Sequence, residues 1–184
     1  MKFILFLIVI TTFISCKNTT KLEQKFNCSS SISYKINKTK DFNNNFTINI
    51  PKSWKINYYY DNNTSEIYTA DTLKELTKTF IIGVSFYKGN LKLNDVYNTK
   101  MDSMLLKNKL IKYSSGNEAF ANKPSYWYLA NGTKNGFSYH QLSITIKNSD
   151  KSYINATSEI YGDELVNNRI CQSISILKSI QFLQ

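Results

Sequence analysis

His140 is the only histidine in this chain of 184 residues, and so the only side chain that titrates near neutrality without help from its surroundings. It falls in phase with Leu142, Ile144 and Ile146, which reads as a histidine on the inner face or at the end of a strand. Use of that imidazole as a general base for hydrolysis needs a serine and a carboxylate beside it, and no Gly-x-Ser-x-Gly elbow supplies the serine. The acids give no better lead. Asp163-Glu164 and Asp150 sit where helix starts and turns use carboxylates as caps, and Asp61-Asn62-Asn63 lacks the glycine and distant glutamate of a calcium loop. No CxxC or other metal spacing and no glycine-rich phosphate loop is present. The expectation is a protein without catalytic activity, metal or cofactor, with a hydrolase using His140 as the lesser alternative.

The three cysteines, Cys16, Cys28 and Cys171, carry more. Met1-Lys2 precedes the apolar run Phe3 to Ile10, and Thr11-Thr12-Phe13-Ile14-Ser15-Cys16 follows. A positive charge, a short apolar run and a small residue before a cleavage point form an export signal. A buried first strand would have the same apolar run, but the next thirty residues are polar and leave nothing to cover it. Phe13-Ile14-Ser15-Cys16 resembles the bacterial lipobox, in which the cysteine thiol receives a diacylglyceryl group and the signal is cut just before it. The small Ser15 fits; Phe13 replaces the usual aliphatic residue. The resemblance implies a mature chain anchored through lipid on Cys16, since two acyl chains make membrane attachment stable. The competing reading is a secreted protein in which Cys16 is incidental. Cys28 and Cys171 then form an even pair in a compartment that permits disulfides. A bridge there closes a loop of over a hundred residues and stabilises by about 4 to 5 kcal/mol in the chain-entropy account. The alternative is a free Cys28 and a Cys171 packed as a small apolar residue.

Composition sets the class. Hydrophobic residues make up 42% and aromatics 14%, enough to build a core, and only two prolines and six glycines occur, which excludes disordered and collagen-like chains. No apolar run reaches the roughly 18 residues of a spanning helix. Lys and Arg number 23 against 13 acids, and losing Lys2 with the signal leaves 22 − 13 = +9. All but Arg169 of those cations are lysines and they are dispersed, so nucleic acid, which arginine reads better, is not an expected partner. The surplus fits weak attraction to an anionic membrane or partner.

The expected organisation is a signal peptide over 1–15, a lipidated cysteine and polar tether over 16–45, and a folded domain over 46–184. Phe46, Ile48 and Ile50 alternate as a strand into Pro51, and Trp54, Ile56, Tyr58 and Tyr60 continue the alternation. Asp61 to Thr64 is a turn cluster, with a partner strand through Ile67 to Ala70. Phe80 to Tyr87 is apolar on both sides at first, as in a covered central strand. Asn94 caps a helix whose Tyr97, Met101, Met104 and Leu105 lie on one side. Strands are predicted over 110–115, 125–130, 137–147 and 152–160, punctuated by Asn131-Gly132 and Asn148-Ser149-Asp150. A second helix opens at Asp163 and places Val166, Ile170, Ile174 and Leu177 inward. Meander, helix, meander, helix is an α+β arrangement: a central antiparallel sheet of about six strands flanked by helices.

Tyr58-Tyr59-Tyr60 and Tyr126-Trp127-Tyr128 put rings on both faces of their strands. Exposed aromatics bury much area at low entropy cost, so Tyr59, Tyr126, Trp127 and Tyr128 form a candidate interface; one face in the core and the other shielded by a helix is the plainer reading.

Ile48-Asn49-Ile50-Pro51-Lys52-Ser53-Trp54 at the opening, a strand before the mid-chain helix, a long antiparallel hairpin and a closing helix into Lys178-Ser179-Ile180-Gln181-Phe182 resemble the PsbP-like superfamily. That superfamily includes photosystem extrinsic subunits and small bacterial lipoproteins of the DcrB type. The likeness spans Phe46 to Leu183 and implies a sheet between helices and an accessory or binding role. The resulting expectation is a cell-envelope module, lipid-anchored and facing the periplasm or exterior, that meets another envelope protein. An inhibitor or immunity lipoprotein against a toxin, and an envelope hydrolase, are the alternatives. Oligomeric state is left open.

Overall fold

A computed structural model describes residues 19–28 and 35–183; the expected signal peptide and Cys16 lie outside the described residues. Among the described residues three α-helices, α1 (Lys21–Lys25), α2 (Asp95–Lys107) and α3 (Val166–Leu177), and a 3-10 turn at Leu76–Lys78 accompany ten strands. These are β1 (Ile36–Lys40), β2 (Phe46–Pro51), β3 (Lys55–Tyr60), β4 (Thr64–Ala70), β5 (Ile81–Lys88), β6 (Leu110–Phe120), β7 (Lys123–Lys134), β8 (Phe137–Ser149), β9 (Ser152–Tyr161) and β10 (Gln181–Phe182). All pairings are antiparallel: a seven-stranded sheet in the order β3-β4-β5-β9-β8-β7-β6, and a three-stranded sheet in the order β1-β2-β10. The α+β class holds, but the single sheet of about six strands is replaced by two. β1 and β10 escape the sequence because a short edge strand needs no apolar alternation: β1 buries only Thr39.

Turns account for the hairpins. Asn135 and Gly136 both take positive φ, 53° and 81°, which is what the two-residue link between β7 and β8 demands. The expected break at Asn131-Gly132 does not occur, since β7 runs through it. Gly132 is there for space: a Cβ would stand 2.6 Å from the Lys109 carbonyl oxygen. β6 and β7 are likewise much longer than the expected spans.

Two-residue alternation sorts the strands of the large sheet, except where register shifts interrupt β6 and the end of β8. One face sends Ile67, Ile82, Val84, Phe86, Trp127, Leu129, Leu142, Ile144, Ile146, Ile154, Ala156 and Ile160 into the main core. Phe46, Ile48 and Ile50 of β2 and Ile170, Ile174 and Leu177 of α3 close that core from the other side. Each isoleucine, leucine, valine or phenylalanine among these contributes about 1.5 to 3 kcal/mol by leaving water. The other face carries a smaller cluster, Leu105, Leu110, Tyr126, Tyr128, Ala130, Tyr139 and Tyr161, beneath α2. Asn94 caps α2 as expected, its side chain accepting from the Tyr97 amide at 3.1 Å.

Within the span expected as a tether, 16–45, the described residues carry structure. Thr20 and Glu23 form a reciprocal capping box that starts α1, and Leu22 is fully buried in the main core. Cys28 is bridged to Cys171 of α3, S–S 2.02 Å with Cα atoms 5.3 Å apart. A polar stretch was enough to disguise a segment held by one leucine and one cystine.

α3 starts at Val166 instead of Asp163, because Gly162 (φ 74°) and Leu165 (φ 50°) turn the chain left-handed first. Arg169 fixes this turn. Its side chain is buried, and its terminal nitrogens donate to the carbonyls of Thr77, Thr79, Tyr161, Gly162 and Glu164 at 2.9, 3.0, 2.9, 3.0 and 2.5 Å. The guanidinium fork thus ties the loop before β5 to the β9–α3 turn. Arg169→Ala should lower the unfolding free energy by about 3 kcal/mol in urea titrations, since buried carbonyls lose their donors. Arg169→Lys should recover less than half of that loss, three donors on one nitrogen being unable to span five acceptors. A loss below about 1 kcal/mol in the alanine variant would contradict this role.

Candidate functional site

His140, Ser138 and Asp163 do come together, at the end of β8 beside the turn into α3. His140 Nε2 lies 2.9 Å and Ser138 Oγ 2.6 Å from the same oxygen, Asp163 Oδ1. A nucleophilic triad needs the imidazole between serine and carboxylate, so that the serine proton has a base to go to. Here the carboxylate is in the middle and the serine donates to it directly. Asp163 is 74% exposed at its side chain. The arrangement is a strand-end clasp for the turn, and it lacks the proton relay that the hydrolase reading requires. Among the described residues no group of three or more His, Cys, Asp or Glu side chains is close enough to hold a metal ion.

The aromatics sort by parity and cover. Tyr126 and Tyr128 point under α2, where Tyr97 meets Tyr126 edge-on at 5.9 Å and its hydroxyl lies 2.7 Å from Thr145 Oγ1. Trp127 points the opposite way into the main core. At 3%, 5% and 8% exposure, Tyr126, Trp127 and Tyr128 are not a surface, which corrects the interface expected from them. The reason is that both faces of β7 are covered, one by α2 and one by the second sheet and α3. Burial pushes the Tyr97 phenol up to about 12. Tyr59 is different: it lies on the edge strand β3, 56% exposed.

Tyr59 belongs to an open half of the sheet face that α2 leaves bare. From β3 to β9 the side chains of this parity include Tyr59, then Glu66 and Tyr68, then Ser85 and Tyr87, then Tyr153, Asn155, Thr157 and Glu159. Tyr59 and Tyr68 meet edge-on at 5.8 Å, and Tyr87 and Tyr153 stack at 5.1 Å with an interplanar angle of 22°. The Tyr87 hydroxyl donates to Glu66 Oε1 at 3.4 Å. Gly83 makes room for this layer: a Cβ there would stand 2.9 Å from both the Tyr68 ring and Thr157 Oγ1. Desolvation, and after it the neighbouring Glu66 charge, raises the Tyr68 phenol; for Tyr87 desolvation also leads, opposed by a bond to Ser85 and reinforced by Glu66. Both therefore stay protonated donors over the physiological range.

At the border between the covered and open halves, a cavity of about 270 Å³ is lined by Asn108, Leu110, Lys134, Tyr139, Gln141 and Glu159. Lys134 bridges to Glu159 at 2.8 Å and sits 4.8 Å from the Tyr139 ring centre. The open half thus offers aromatic faces, neutral hydrogen-bonding groups and two carboxylates, with no activated nucleophile among them. Tyr68, Tyr87 and Tyr153 were missed in the sequence. Their signal is the alternation of Tyr, Glu, Asn and Thr with Ile, Val and Ala along β4, β5 and β9, which marks a half-wet face.

No family model and no curated protein matches the sequence. Solved structures do match in shape. The cyanobacterial PsbP, CyanoP, from Synechocystis sp. PCC 6803 aligns with a TM-score of 0.58 at 9% identity, over 85% of this chain and 97% of that one. The Ran-binding protein Mog1p of Saccharomyces cerevisiae aligns with a TM-score of 0.55 at 8% identity, over 81% and 96%. The chain therefore has the PsbP-like α+β fold that its opening and closing segments resemble.

Hydrogen bonds from Ser138, and then from His140, hold the Asp163 carboxyl below the ordinary aspartate range. A depressed native value means stabilisation that is complete above the unfolded value and lost as pH falls through the native one. An NMR titration should place the Asp163 midpoint below about 3.9, and Ser138→Ala should raise it more than His140→Ala does. An unshifted midpoint in the unsubstituted protein would contradict the clasp.

Proposed function

We propose that this chain is a non-catalytic binding module of the bacterial envelope, anchored through lipid on Cys16, whose partner docks on the open half-face of β3, β4, β5 and β9. The observation that carries the reading is the asymmetry of that face. α2 buries Tyr126 and Tyr128, whereas on the same side of the sheet Tyr59 is exposed and Tyr68, Tyr87 and Tyr153 are only half-buried. Tyrosines in such a layer give a partner large contact area at low entropy cost together with hydroxyl donors. The PsbP-like fold accommodates this role, and the Ser138–Asp163–His140 geometry gives the hydrolase alternative no support.

The anchor belongs to the same proposal. Three residue steps separate Cys16 from Thr19, a reach of about 10 Å, before the capping box begins. A lipid on Cys16 therefore holds the folded body close against the bilayer, without the long tether expected from composition. Cys16→Ser should abolish a lipid-sized mass increment on the mature chain and release it from vesicles. A product that still sediments with membranes would overturn the anchor.

For the surface, the full chain carrying Tyr59→Ser and Tyr153→Ser should recover at least about tenfold less of the envelope partner that co-purifies with the unsubstituted chain, a loss of one hot-spot contact. Its thermal midpoint should move by no more than a few degrees. Undiminished recovery would remove this face from consideration.

A further inference from the structure

The two edges of the seven-stranded sheet are treated differently. β6 has a register shift between Lys112 and Ser114, a glycine at 116 and charged residues Lys112 and Glu118, and the Lys21 amide donates to Glu118 Oε2 at 2.9 Å. Bulges, charges and covering segments are the usual ways to make a sheet edge unfit for pairing. β3 at the other edge carries neither a bulge nor a proline: Lys55-Ile56-Asn57-Tyr58-Tyr59-Tyr60 pairs with β4 without a shift and keeps its single charge at one end, while at its far end Phe42 stacks on Tyr60 at 3.5 Å and the Asn43 side chain donates to the Asp61 carbonyl at 3.2 Å. Tyr58, Tyr59 and Tyr60 are all exposed.

The ladder shows which backbone groups have no strand partner among the described residues. The Asp61 amide donates to the Thr64 carbonyl at 2.9 Å, and the Lys55 carbonyl accepts from Thr69 Oγ1 at 2.9 Å, so the odd-numbered residues of β3 turn their backbone groups toward β4. Alternation then turns the N–H and C=O groups of Ile56, Tyr58 and Tyr60 to the free edge. A second antiparallel copy of β3 must keep each face of the sheet continuous, which requires opposed residue numbers of equal parity. Centring the two-fold axis on Tyr58 meets this condition. It opposes Tyr58 to itself, Ile56 to Tyr60 and Asn57 to Tyr59, and every outward backbone group finds a partner. The same register sets Lys55 opposite Asp61 of the second copy, so the charges at the two ends of the edge are complementary.

We infer that β3 is a self-association edge, and that two copies of this chain join through antiparallel β3–β3 pairing centred on Tyr58 into one continuous sheet. The occupant is a second copy because the edge is complementary to itself in both backbone phase and charge, as an isologous interface must be. The pairing is independent of the partner and lipid readings. It would place the two open half-faces side by side across the axis.

The test uses the full chain purified in detergent. Sedimentation should give twice the protomer mass, and Tyr58→Pro, which removes an outward N–H and no bond to β4, should halve it. Cysteine pairing reads the register directly and stands even if the proline variant misfolds. Tyr58→Cys should cross-link to itself, because directly opposed hydrogen-bonded residues lie about 5.5 Å apart at Cα, within disulfide reach. Asn57→Cys and Tyr59→Cys should each fail alone and cross-link when mixed. A monomeric unsubstituted chain, a Tyr58→Cys variant that stays monomeric with Cys28–Cys171 intact, or equal cross-linking at all three positions would overturn the inference. So would a cross-link from Tyr58→Cys to a different protein.

Discussion

Seven strands about 4.8 Å apart make a sheet roughly 29 Å wide, whereas a helix is only about 10 Å across. That mismatch governs the molecule. On one face, α3 and the second sheet together cover the width, and the alternate residues there are isoleucine, leucine, valine and phenylalanine. On the other face α2 alone, 13 residues long, packs over β6, β7 and β8 and leaves the strands toward β3 half-buried or exposed. The strands beyond it answer in composition. Along β9 the inward set is Ile154, Ala156, Ser158 and Ile160, and the outward set is Tyr153, Asn155, Thr157 and Glu159. Tyrosine suits such ground because its ring shields backbone while its hydroxyl stays hydrated.

Four fixings keep the covering layer in place. The Arg169 guanidinium gathers carbonyls from the loop before β5 and from the β9–α3 turn. Farther along α3, Ser173 meets Ser158 of β9 at 2.6 Å, and Cys171 binds the N-terminal segment through Cys28. The Ser138–Asp163–His140 clasp works at the same turn. The residue types that attract a catalytic reading are thus spent on holding the start of α3 against the sheet.

Much of this was legible where one physical rule acts alone. Alternation located β2 and β3, the Asp61 to Thr64 turn placed β4, a run apolar on both sides marked β5, Asn94 announced α2, and Ile170, Ile174 and Leu177 announced the inner stripe of α3. The rest depends on pairs of distant residues. Leu22 reads as an isolated leucine in a polar stretch until the main core surrounds it. Asn131-Gly132 and Asn135-Gly136 are the same dipeptide, and only the approach of Lys109 to Gly132 tells the strand from the turn. The tyrosines show the limit most clearly. Parity says which rings share a face, but not which stretch of that face a helix covers, so Tyr126 and Tyr128 stood as an interface candidate beside the plainer reading of a strand shielded by a helix, while Tyr68, Tyr87 and Tyr153 passed unremarked.

Hydroxyl-radical footprinting of the chain in intact envelopes, compared with the purified protein, tests most directly whether the bare half-face is the working surface. The account predicts that Tyr59, Tyr68, Tyr87 and Tyr153 are modified in the purified chain and shielded in the envelope, while the exposed Leu106 and Tyr113 react equally in both. Equal modification of the four tyrosines in the two settings would contradict it.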